Sequence, residues 1–479
     1  MEPLVLGGRP RTTDLGIEVV DKFDGTRIAT VAAADPALVR EAIASAHGAR
    51  DAMRALAPAQ RADILERVAA RLEEQREGIA DTLVREAGKP IRFALAEVDR
   101  ALDTFRIAAR EAVRIEGGVV PLDGAPANAG YRATWKRVPV GVCGFIAPFN
   151  FPLNLVAHKV APAIAAGCPF VLKPASVAPL GALRIADALA AEVGVRGGLP
   201  EGSFSVLPAR GAAAEPIATD DRVAKLSFTG SDEVGWRLAG LAAKKRVTLE
   251  LGGNAAVVVD ETADLDDAVR RIVFGAYYQA GQSCISVQRI VAVEAILDEL
   301  RERLVAAVEG VVAGDPRSAD TLVGPLIAED EADRVLRSID AARAAGAEVL
   351  VGGGRSGPVV EATLVEGVPH GQDLLDEEVF GPVAVLIGVP DYDAALAEVN
   401  RSRFGLQAGV FTRDVHRAHR AWDELEVGGV VVGDVPSWRA DAMPYGGVKD
   451  SGLGREGPAF AIEEMTERRL LVVRDPGTT

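Results

Sequence analysis

Apolar positions follow two different patterns along the chain. Up to about residue 115 they recur with the spacing of helices that bury one face, which predicts helices over 36–55, 59–87 and about 93–115. A Gly-x-Pro sequence is a normal stop for the second helix. Residues 118–138 carry glycine, proline and alternating apolar positions, so we expect a hairpin that leaves the main body.

From residue 138 the pattern changes to short, continuous apolar runs. The runs VPVGVCGFIA, PFVLK, SFSVL, AKLSF, RVTLEL and AAVVV are mostly separated by helical stretches, such as 152–166 and 179–193. A second set of alternating elements runs from about 264 to 433, and RRLLVV predicts a last strand. Strands buried on both faces and alternating with helices indicate an α/β fold with two doubly wound parallel sheets, plus a small sheet built from distant segments.

Composition narrows the class of protein. The chain has 479 residues, 48% of them hydrophobic, and a formal net charge of -16. An acidic body disfavours nucleic acid and anionic membrane surfaces as partners. With no signal-like N-terminus and no long apolar run, we expect a cytoplasmic protein. Its three cysteines, without a CxxC pair, look like reduced thiols.

Three polar residues stand at the ends of apolar segments. Cys284 follows a predicted helix among small residues that let a ligand approach the backbone. From the local sequence alone it is either a thiol in a ligand site or a buried structural thiol. Glu250 ends an apolar strand before two glycines, where it is either a general base or an ordinary strand-end acid. Asn150 follows another strand and is either an oxyanion donor or a turn residue. Cys143 and Cys168 lie inside apolar runs and are expected to be structural.

Two other kinds of candidate motif, for a dinucleotide and for a metal ion, lie among elements that do not fit such a site. Two GxGxxG matches begin at Gly352 and Gly452, but neither lies between a strand and a helix as a dinucleotide site requires. His416 and His419 lie close together on a charged helix, where a solvated face is the better explanation. We predict no metal site.

Seven segments together resemble the aldehyde dehydrogenase superfamily over essentially the whole chain. They are APFNFPL (147–153), LKPAS (172–176), SFTGS (227–231), LELGGN (249–254), GQSC (281–284), EEVFGP (377–382) and PYGGVKDSGLGREG (444–457). Within this superfamily, the chain looks most similar to the branch that acts on lactaldehyde, glyceraldehyde 3-phosphate and phosphonoacetaldehyde. The domains that the resemblance implies are a cofactor-binding domain (1–120 and 139–252, with a return at 453–467), a catalytic domain (253–452) and an oligomerisation sheet (121–138 and 468–479).

The resemblance implies the catalytic roles. Cys284 attacks the aldehyde as a thiolate and must be partly exposed, with its thiolate stabilised. Asn150 and the Cys284 backbone N–H hold the oxyanion, and Glu250 activates the water that hydrolyses the thioester. Relatives that transfer the acyl group to coenzyme A generally lack a glutamate at this position, so we expect a free acid as product.

The cofactor residues are also implied by the resemblance. Lys173 corresponds to the ribose-binding lysine and Ser231 to a pyrophosphate contact at a helix N-terminus. The other expected cofactor residues are Glu378 and Phe380 at the nicotinamide ribose and ring, and Ile146, Pro148 and Phe149 along the channel. Ser176 replaces the glutamate that NAD-preferring relatives use on the adenosine ribose, so NADP is the preferred cofactor and NAD the alternative. Ala209 replaces a glycine near the adenine site.

Three residues are expected at the substrate. By the resemblance, Arg100 and Arg439 flank the substrate tunnel that relatives have. Two arginines there suit a short aldehyde bearing phosphonate, phosphate or carboxylate, such as phosphonoacetaldehyde or glyceraldehyde 3-phosphate. The alternative is that one or both arginines pair with acids such as Asp103 or Asp441. His158 lies on the tunnel helix. Lactaldehyde, another small neutral aldehyde, and succinate semialdehyde are alternative substrates.

Two other functional classes remain as alternatives at this point. In a cofactor-independent thiol hydrolase the predicted cofactor residues would have no function. A non-catalytic scaffold would not need Cys284, Glu250 and Asn150. In relatives the small sheet joins subunits, so we expect a homodimer or homotetramer.

Overall fold

The computed structural model describes residues 1–475; residues 476–479, part of the predicted segment 468–479, lie outside the described residues. The helices are α1 (Pro36–Gly48), α2 (Arg50–Ala55), α3 (Pro58–Glu74), α4 (Arg76–Ala87), α5 (Ile91–Ala112), α6 (Asn154–Ala166), α7 (Leu180–Ala190), α8 (Pro216–Thr219), α9 (Asp232–Leu241), α10 (Leu265–Tyr277), α11 (Glu294–Glu309), α12 (Glu329–Ala344), α13 (Asp373–Asp376), α14 (Tyr392–Asn400), α15 (Val415–Glu424) and α16 (Pro458–Glu464). Short 3-10 turns lie at Pro126–Asn128, Gly211–Ala214 and Tyr278–Gly281.

The strands alternate with these helices along most of the chain. They are β1 (Leu4–Leu6), β2 (Arg9–Arg11), β3 (Gly16–Val20), β4 (Arg27–Ala32), β5 (Gly117–Val120), β6 (Tyr131–Pro139), β7 (Val142–Ile146), β8 (Phe170–Lys173), β9 (Phe204–Val206), β10 (Val223–Thr229), β11 (Arg246–Glu250), β12 (Ala256–Val259), β13 (Arg289–Val293), β14 (Glu348–Val351), β15 (Arg355–Ser356), β16 (Val359–Val360), β17 (Thr363–Glu366), β18 (Val383–Val389), β19 (Phe404–Gly405), β20 (Gln407–Phe411), β21 (Gly429–Val432), β22 (Val448–Lys449), β23 (Gly452–Leu453) and β24 (Thr466–Arg474).

Two long predicted helices are each broken into two. The predicted helix 36–55 is α1 and α2, and the predicted helix 59–87 is α3 and α4, with Gln75 at a non-helical φ of -107° and ψ of 12°. The apolar pattern could not reveal the second break, because the buried Leu72 and Ile79 on either side are seven residues apart, which is also two turns of an unbroken helix. The helices predicted at 93–115, 152–166 and 179–193 are α5, α6 and α7, with ends that differ by no more than three residues.

The first large sheet has the order β2-β1-β9-β8-β7-β10-β11-β23. Strands β7 to β11 are parallel to their neighbours, whereas β1 and β23 pair antiparallel at the two sides. Alternate residues of β7 face opposite cores. Cys143 and Phe145 pack under α3, α5 and α6, while Val142 and Ile146 pack with α1 and α8. Burial on both faces explains why these strands are continuous apolar runs in the sequence.

The second large sheet has the order β14-β17-β18-β13-β12-β20-β21 and is parallel except for β14. Helices cover both of its faces, with α10, α11 and α12 packed on one face and α14 and α15 on the other. The prediction of an α/β fold with two doubly wound parallel-sheet domains is therefore confirmed. No helix within residues 1–475 combines the length and apolar character needed to cross a bilayer.

The small sheet is β24-β6-β5, and all its pairs are antiparallel. Strand β24 runs along the whole of β6, from Thr466 opposite Pro139 to Arg474 opposite Tyr131. It begins two residues before the predicted boundary at 468. The domain boundaries derived from the sequence, and the role of this sheet in oligomerisation, stay predictions.

Candidate active site

A cavity of about 780 Å³ lies where the carboxyl ends of β7, β8, β10 and β11 meet the loops that follow α10 and α13. The carboxyl ends of parallel strands are where open α/β sheets bind ligands. Every predicted site residue except His158 lines this cavity: Asn150, Glu250, Cys284, Ile146, Pro148, Phe149, Lys173, Ser176, Ser231, Glu378, Phe380, Arg100 and Arg439.

Cys284 is carried by an unusual turn. Helix α10 ends at Tyr277, and Gln279, Ala280 and Gly281 then all adopt positive φ, at 53°, 56° and 67°. Left-handed conformation at successive non-glycine residues is costly and persists where the surrounding structure enforces it. The turn aims the thiol into the cavity, and Cys284 is half-buried there.

The surroundings of Cys284 favour the thiol over the thiolate. Burial raises the pKa of Cys284 to about 12, and the nearby Glu378 and Glu250 act in the same direction. Arg439 and a contact of 3.1 Å between the Cys284 Sγ and the Tyr445 Oη act in the opposite direction. The expectation of partial exposure is met, but the expectation of a stabilised thiolate is not, because desolvation outweighs the groups that favour the charge.

Glu250 is a buried carboxylate without local partners. It ends β11 and is 3% exposed, and neither of its carboxylate oxygens has a hydrogen-bond partner among residues 1–475. Burial raises the pKa of Glu250 well above its usual value, and the neighbouring Glu456 raises it further. A carboxylate that is desolvated and unpaired beside a nucleophile has the environment of a general base.

Asn150 is held by its own turn and by the turn that carries Cys284. Its Oδ1 accepts a hydrogen bond from Phe151 N at 3.1 Å, and its carbonyl accepts one from Gln279 Nε2 at 2.5 Å. Glu97 anchors the following turn by accepting from Leu153 N at 2.9 Å and from the first residue of α6. An amide fixed through its oxygen presents its NH₂ group as the donor.

The part of the cavity that the predicted cofactor residues line is called the cofactor end here, and it is built from strand ends and turns. Lys173 ends β8, and burial lowers its pKa, with no carboxylate opposing that effect in the described chain. Ser176 also borders an adjoining cavity of about 490 Å³, which Lys22 and Arg210 line as well. Ser231 is the residue before α9 and is exposed. The ammonium group of Lys173, which no carboxylate opposes, and the N-terminus of α9 are suitable partners for phosphate groups.

Glu378 and Phe380 lie between the cofactor end and Cys284. Glu378 accepts a hydrogen bond from Gly253 N at 3.0 Å, and burial raises its pKa to about 7. Phe380 has a positive φ of 48° and contacts Phe149 edge to face, with ring centroids 5.8 Å apart. A carboxylate with a free oxygen next to an aromatic wall fits a ribose hydroxyl and a flat ring, so this part of the cavity fits the expected cofactor.

Arg100 is paired with Asp441, as the alternative interpretation of the sequence allowed. Arg100 Nε and Nη2 donate to the two oxygens of Asp441 at 3.0 and 2.7 Å. Asp441 also accepts from Asn154 Nδ2 at 3.0 Å. Burial opposes its ionisation, yet His158 and Arg100 lower the pKa of Asp441 below its usual value. Asp441 does not line the cavity, whereas Arg100 does and is 30% exposed.

The expected substrate contact of His158 is wrong. His158 is fully buried on α6 and does not line the cavity. Burial and Arg439 lower the pKa of His158, so the ring is neutral and its Nε2–H donates to Asp441 Oδ1 at 2.8 Å. The histidine therefore supports the carboxylate that holds Arg100. The sequence placed it on the correct helix but on the wrong face, because every residue of α6 is buried.

Arg439 belongs to a second buried ion-pair cluster. Its Nη2 donates to Glu456 Oε2 at 3.3 Å, and its guanidinium lies 3.7 Å from the centre of the Tyr445 ring. Lys159 donates to the other oxygen of Glu456 at 3.1 Å and to Thr229 Oγ1 at 2.7 Å. Burial opposes ionisation of Glu456, but Lys159 and Arg439 outweigh it and lower the pKa of Glu456 to about 2.

Sequence reasoning missed Lys159, Glu456, Gln279 and Tyr445. One usable signal was Lys159, a lysine inside a mostly apolar helix, which must find a counter-charge when buried. The partner, Glu456, is almost 300 residues away, so no local pattern could identify it. No group of three His, Cys, Asp or Glu residues that could hold a metal ion occurs within residues 1–475.

Comparison with known proteins agrees with this geometry. Residues 10–471 match the model of the aldehyde dehydrogenase family. A 3-sulfolactaldehyde dehydrogenase from Priestia aryabhattai is 40% identical over 472 residues, which is 98% of this chain and 97% of that protein. Aldehyde dehydrogenase 21 from Physcomitrella patens, solved with its reaction product succinate, is 43% identical with a TM-score of 0.97, covering 100% of this chain and 99% of that one. A glyceraldehyde-3-phosphate dehydrogenase from Methanocaldococcus jannaschii, solved with NADP, is 34% identical with a TM-score of 0.91, covering 97% of this chain and 100% of that one.

The chain has an α/β fold with two large, mostly parallel sheets, and the half-buried thiol of Cys284 lines its cavity. The chain belongs to the aldehyde dehydrogenase family, and it is an NAD(P)-dependent oxidoreductase. The family resemblance seen in the sequence is confirmed. The cofactor-independent hydrolase and the non-catalytic scaffold are both discarded.

Proposed function

We propose that this enzyme oxidises a short aldehyde carrying an anionic group to the free carboxylic acid, with NADP as the preferred cofactor. Cys284 is the nucleophile, Asn150 the oxyanion donor and Glu250 the general base in this proposal. Arg100 and Arg439 provide positive charge at what we call the aldehyde end, the part of the cavity that they line together with Glu250 and Glu456.

The chemistry follows from what each side chain can do. Cys284 Sγ, once deprotonated, attacks the carbonyl carbon and forms a thiohemiacetal whose oxyanion accepts hydrogen bonds from Asn150 Nδ2 and Cys284 N. Lys173, Ser231 and Glu378 would hold the nicotinamide cofactor, which would supply the acceptor for the hydride, and the acyl group then remains on Sγ as a thioester. Glu250 removes a proton from water, which adds to the thioester carbon, and the thiolate of Cys284 leaves as the acid is released.

One observation carries the anionic substrate, namely how Arg100 is paired. Asp441 uses only Nε and Nη2 of Arg100, so Nη1 is left for a ligand. Asp441 lies behind the cavity wall, and Arg100 therefore presents its charge to the cavity with its counter-ion on the far side. A fixed guanidinium of this kind is suited to carboxylate, sulfonate or phosphate oxygens.

The similar proteins also favour an anionic substrate. Their names mention a sulfonated lactaldehyde, the dicarboxylate succinate and a phosphorylated glyceraldehyde. The preference for NADP rests on Ser176, which brings no negative charge against a 2′-phosphate.

A paired aldehyde panel tests the substrate class. We expect kcat/KM to be at least about tenfold higher for succinate semialdehyde than for uncharged butyraldehyde, and Arg100→Met to remove most of that difference. The matched control is Arg106→Met on the same helix, because Arg106 pairs with Glu73 outside the cavity. A ratio near one in the wild type, for this pair and for sulfonated and phosphorylated aldehydes, would contradict the proposal.

A neutral short aldehyde such as lactaldehyde is the second candidate. It is favoured by the two ion pairs, since Asp441 and Glu456 already balance the charges of Arg100 and Arg439. The same panel separates the two candidates.

We also propose that β24, β6 and β5 join subunits into a dimer or tetramer. Large apolar side chains of this sheet are exposed, among them Val119 at 76% and Leu471 at 61%. Exposed apolar patches of this kind are typical of subunit interfaces. Light scattering of the wild type and of Leu471→Asp tests this proposal, and an unchanged mass would contradict it.

A further inference from the structure

We propose that Tyr445 is a catalytic residue whose hydroxyl donates a hydrogen bond to the Cys284 thiolate and increases the fraction of Cys284 that is ionised. The inference rests on the proposed function, because it assigns a second group to the nucleophile which that function requires.

The Tyr445 ring is fixed in position on several sides. Its hydroxyl oxygen is 3.1 Å from Cys284 Sγ, and the residue is 3% exposed. Its backbone N–H donates to Glu456 O at 3.1 Å, and its carbonyl accepts from Glu456 N at 2.6 Å. The ring packs in a small apolar cluster with Ile285 and Leu406. A donor held in this way does not have to be reoriented when the charge appears on sulfur.

The direction of the hydrogen bond follows from the charges. A thiolate has no proton to donate, so the hydroxyl of Tyr445 must be the donor once Cys284 is ionised. Burial and the nearby Cys284 raise the pKa of Tyr445 well above its usual value, so the phenol keeps its proton throughout the working range. The guanidinium of Arg439 over the ring face withdraws electron density and makes the hydroxyl a stronger donor.

Cys284 needs such a donor because most of its surroundings oppose the charge. Burial comes first, and the carboxylates of Glu378 and Glu250 face the same sulfur. Of the groups that face Cys284, Tyr445 and Arg439 act in the other direction and lower the pKa of the thiol. Removing the hydroxyl is therefore expected to reduce the thiolate fraction without changing the shape of the site.

The rate of alkylation by iodoacetamide, measured on the protein alone between about pH 7 and 10, reports the thiolate directly, because the thiolate is the reactive form. Mass spectrometry assigns the label to Cys284, and Cys143 and Cys168 are buried. For Tyr445→Phe we expect alkylation about tenfold slower at each pH, with the curve displaced by about one pH unit to higher pH. The matched control is Tyr277→Phe, which removes a buried hydroxyl that donates to Thr363 O at 3.0 Å, and its curve should coincide with the wild type.

A second variant excludes a merely structural effect. Replacement of Tyr445 by 3-fluorotyrosine makes the phenol a stronger donor without changing the fold, and it should displace the curve in the opposite direction, to lower pH. Coincidence of the Tyr445→Phe and wild-type curves, or displacement of both variants in the same direction, would overturn the inference. The proposed function fails separately if complete alkylation of Cys284 leaves NADP-dependent aldehyde oxidation intact.

Discussion

The two ends of the cavity differ in how they hold charged groups. At the cofactor end, Lys173 and Ser176 are half-buried, and Ser231 is exposed. At the aldehyde end, Arg439 and Glu456 are buried and paired with each other. The cofactor end is open to an external anion without a paired protein carboxylate at Lys173, whereas at the aldehyde end the arginines are paired with protein carboxylates and Arg100 keeps Nη1 for a ligand.

This difference determines what a substitution does at each end. A side chain at the cofactor end can be replaced with little effect on folding, because few protein groups depend on it. At the aldehyde end, each charge satisfies another buried charge, so removing one leaves its partner desolvated and unpaired. Function and stability are therefore separable at the cofactor end and coupled at the aldehyde end.

Glu250 is the exception at the aldehyde end, and it gives the largest expected effect. Because both its oxygens are unpaired, Glu250→Gln breaks no ion pair, and the steady-state rate should fall by roughly 10²–10⁴-fold with little loss of stability. The first turnover should still release one equivalent of reduced cofactor per active site, since hydride transfer precedes hydrolysis. Stopped-flow absorbance measures both phases.

The control for this variant is Glu309→Gln. Glu309 is exposed at the end of α11 and lies outside the cavity, so the rates of this control should be near those of the wild type. Loss of the first turnover along with the steady state would show that Glu250 acts before hydrolysis and would contradict the assigned role.

Lys159 tests the coupled part of the comparison. Its ammonium group is 1% exposed and pairs with Glu456, so Lys159→Met should lower the free energy of unfolding by about 3–5 kcal/mol. Chemical denaturation measures this change. Lys244→Met, at an exposed position, should stay within about 0.5 kcal/mol of the wild type. A loss as small as that of the control would mean that Glu456 is adequately neutralised by Arg439 alone.

The same contrast explains which parts of the site could be predicted from the sequence. Lys173 ends a strand directly before a proline, and Glu250 ends a strand two residues before a glycine. A parallel sheet brings such strand ends to one edge whatever lies between them. The doubly wound fold was predictable because burial on both faces gives each strand a continuous apolar run in the sequence. These features are local in the chain.

The aldehyde end could not be predicted in this way. The pairs Arg100–Asp441 and Lys159–Glu456 join residues about 300 positions apart, and each pair fixes where its members point. His158 shows the limit most clearly. Helical spacing cannot select the face that meets the cavity when the whole helix is buried.

Ser176 tests the separable part of the comparison, with a smaller effect. A carboxylate in Ser176→Glu would repel a 2′-phosphate and accept hydrogen bonds from a ribose hydroxyl. We expect the ratio of kcat/KM for NADP to that for NAD to fall by about 10- to 100-fold, with unfolding unchanged. Ser176→Ala, which adds no charge, should leave the ratio within about threefold of the wild type. An unchanged ratio in Ser176→Glu would place the determinant of cofactor preference elsewhere.

Glu378 gives the smallest effect and the clearest dependence on pH. Burial raises its pKa to about 7 in the folded protein, above the usual value of 4.5. The folded state therefore binds this proton more tightly than the unfolded state, so the contribution to stability is complete below about pH 4.5 and is lost as the pH rises through 7. The glutamine of Glu378→Gln cannot ionise. Between about pH 5 and pH 8 we therefore expect the free energy of unfolding of this variant, measured by urea titration, to rise by about 1 kcal/mol relative to that of the wild type. If the difference in the free energy of unfolding between the variant and the wild type stays constant across this range, Glu378 keeps one charge state, as Glu456 does. The contrast between the two ends of the cavity would then not include Glu378.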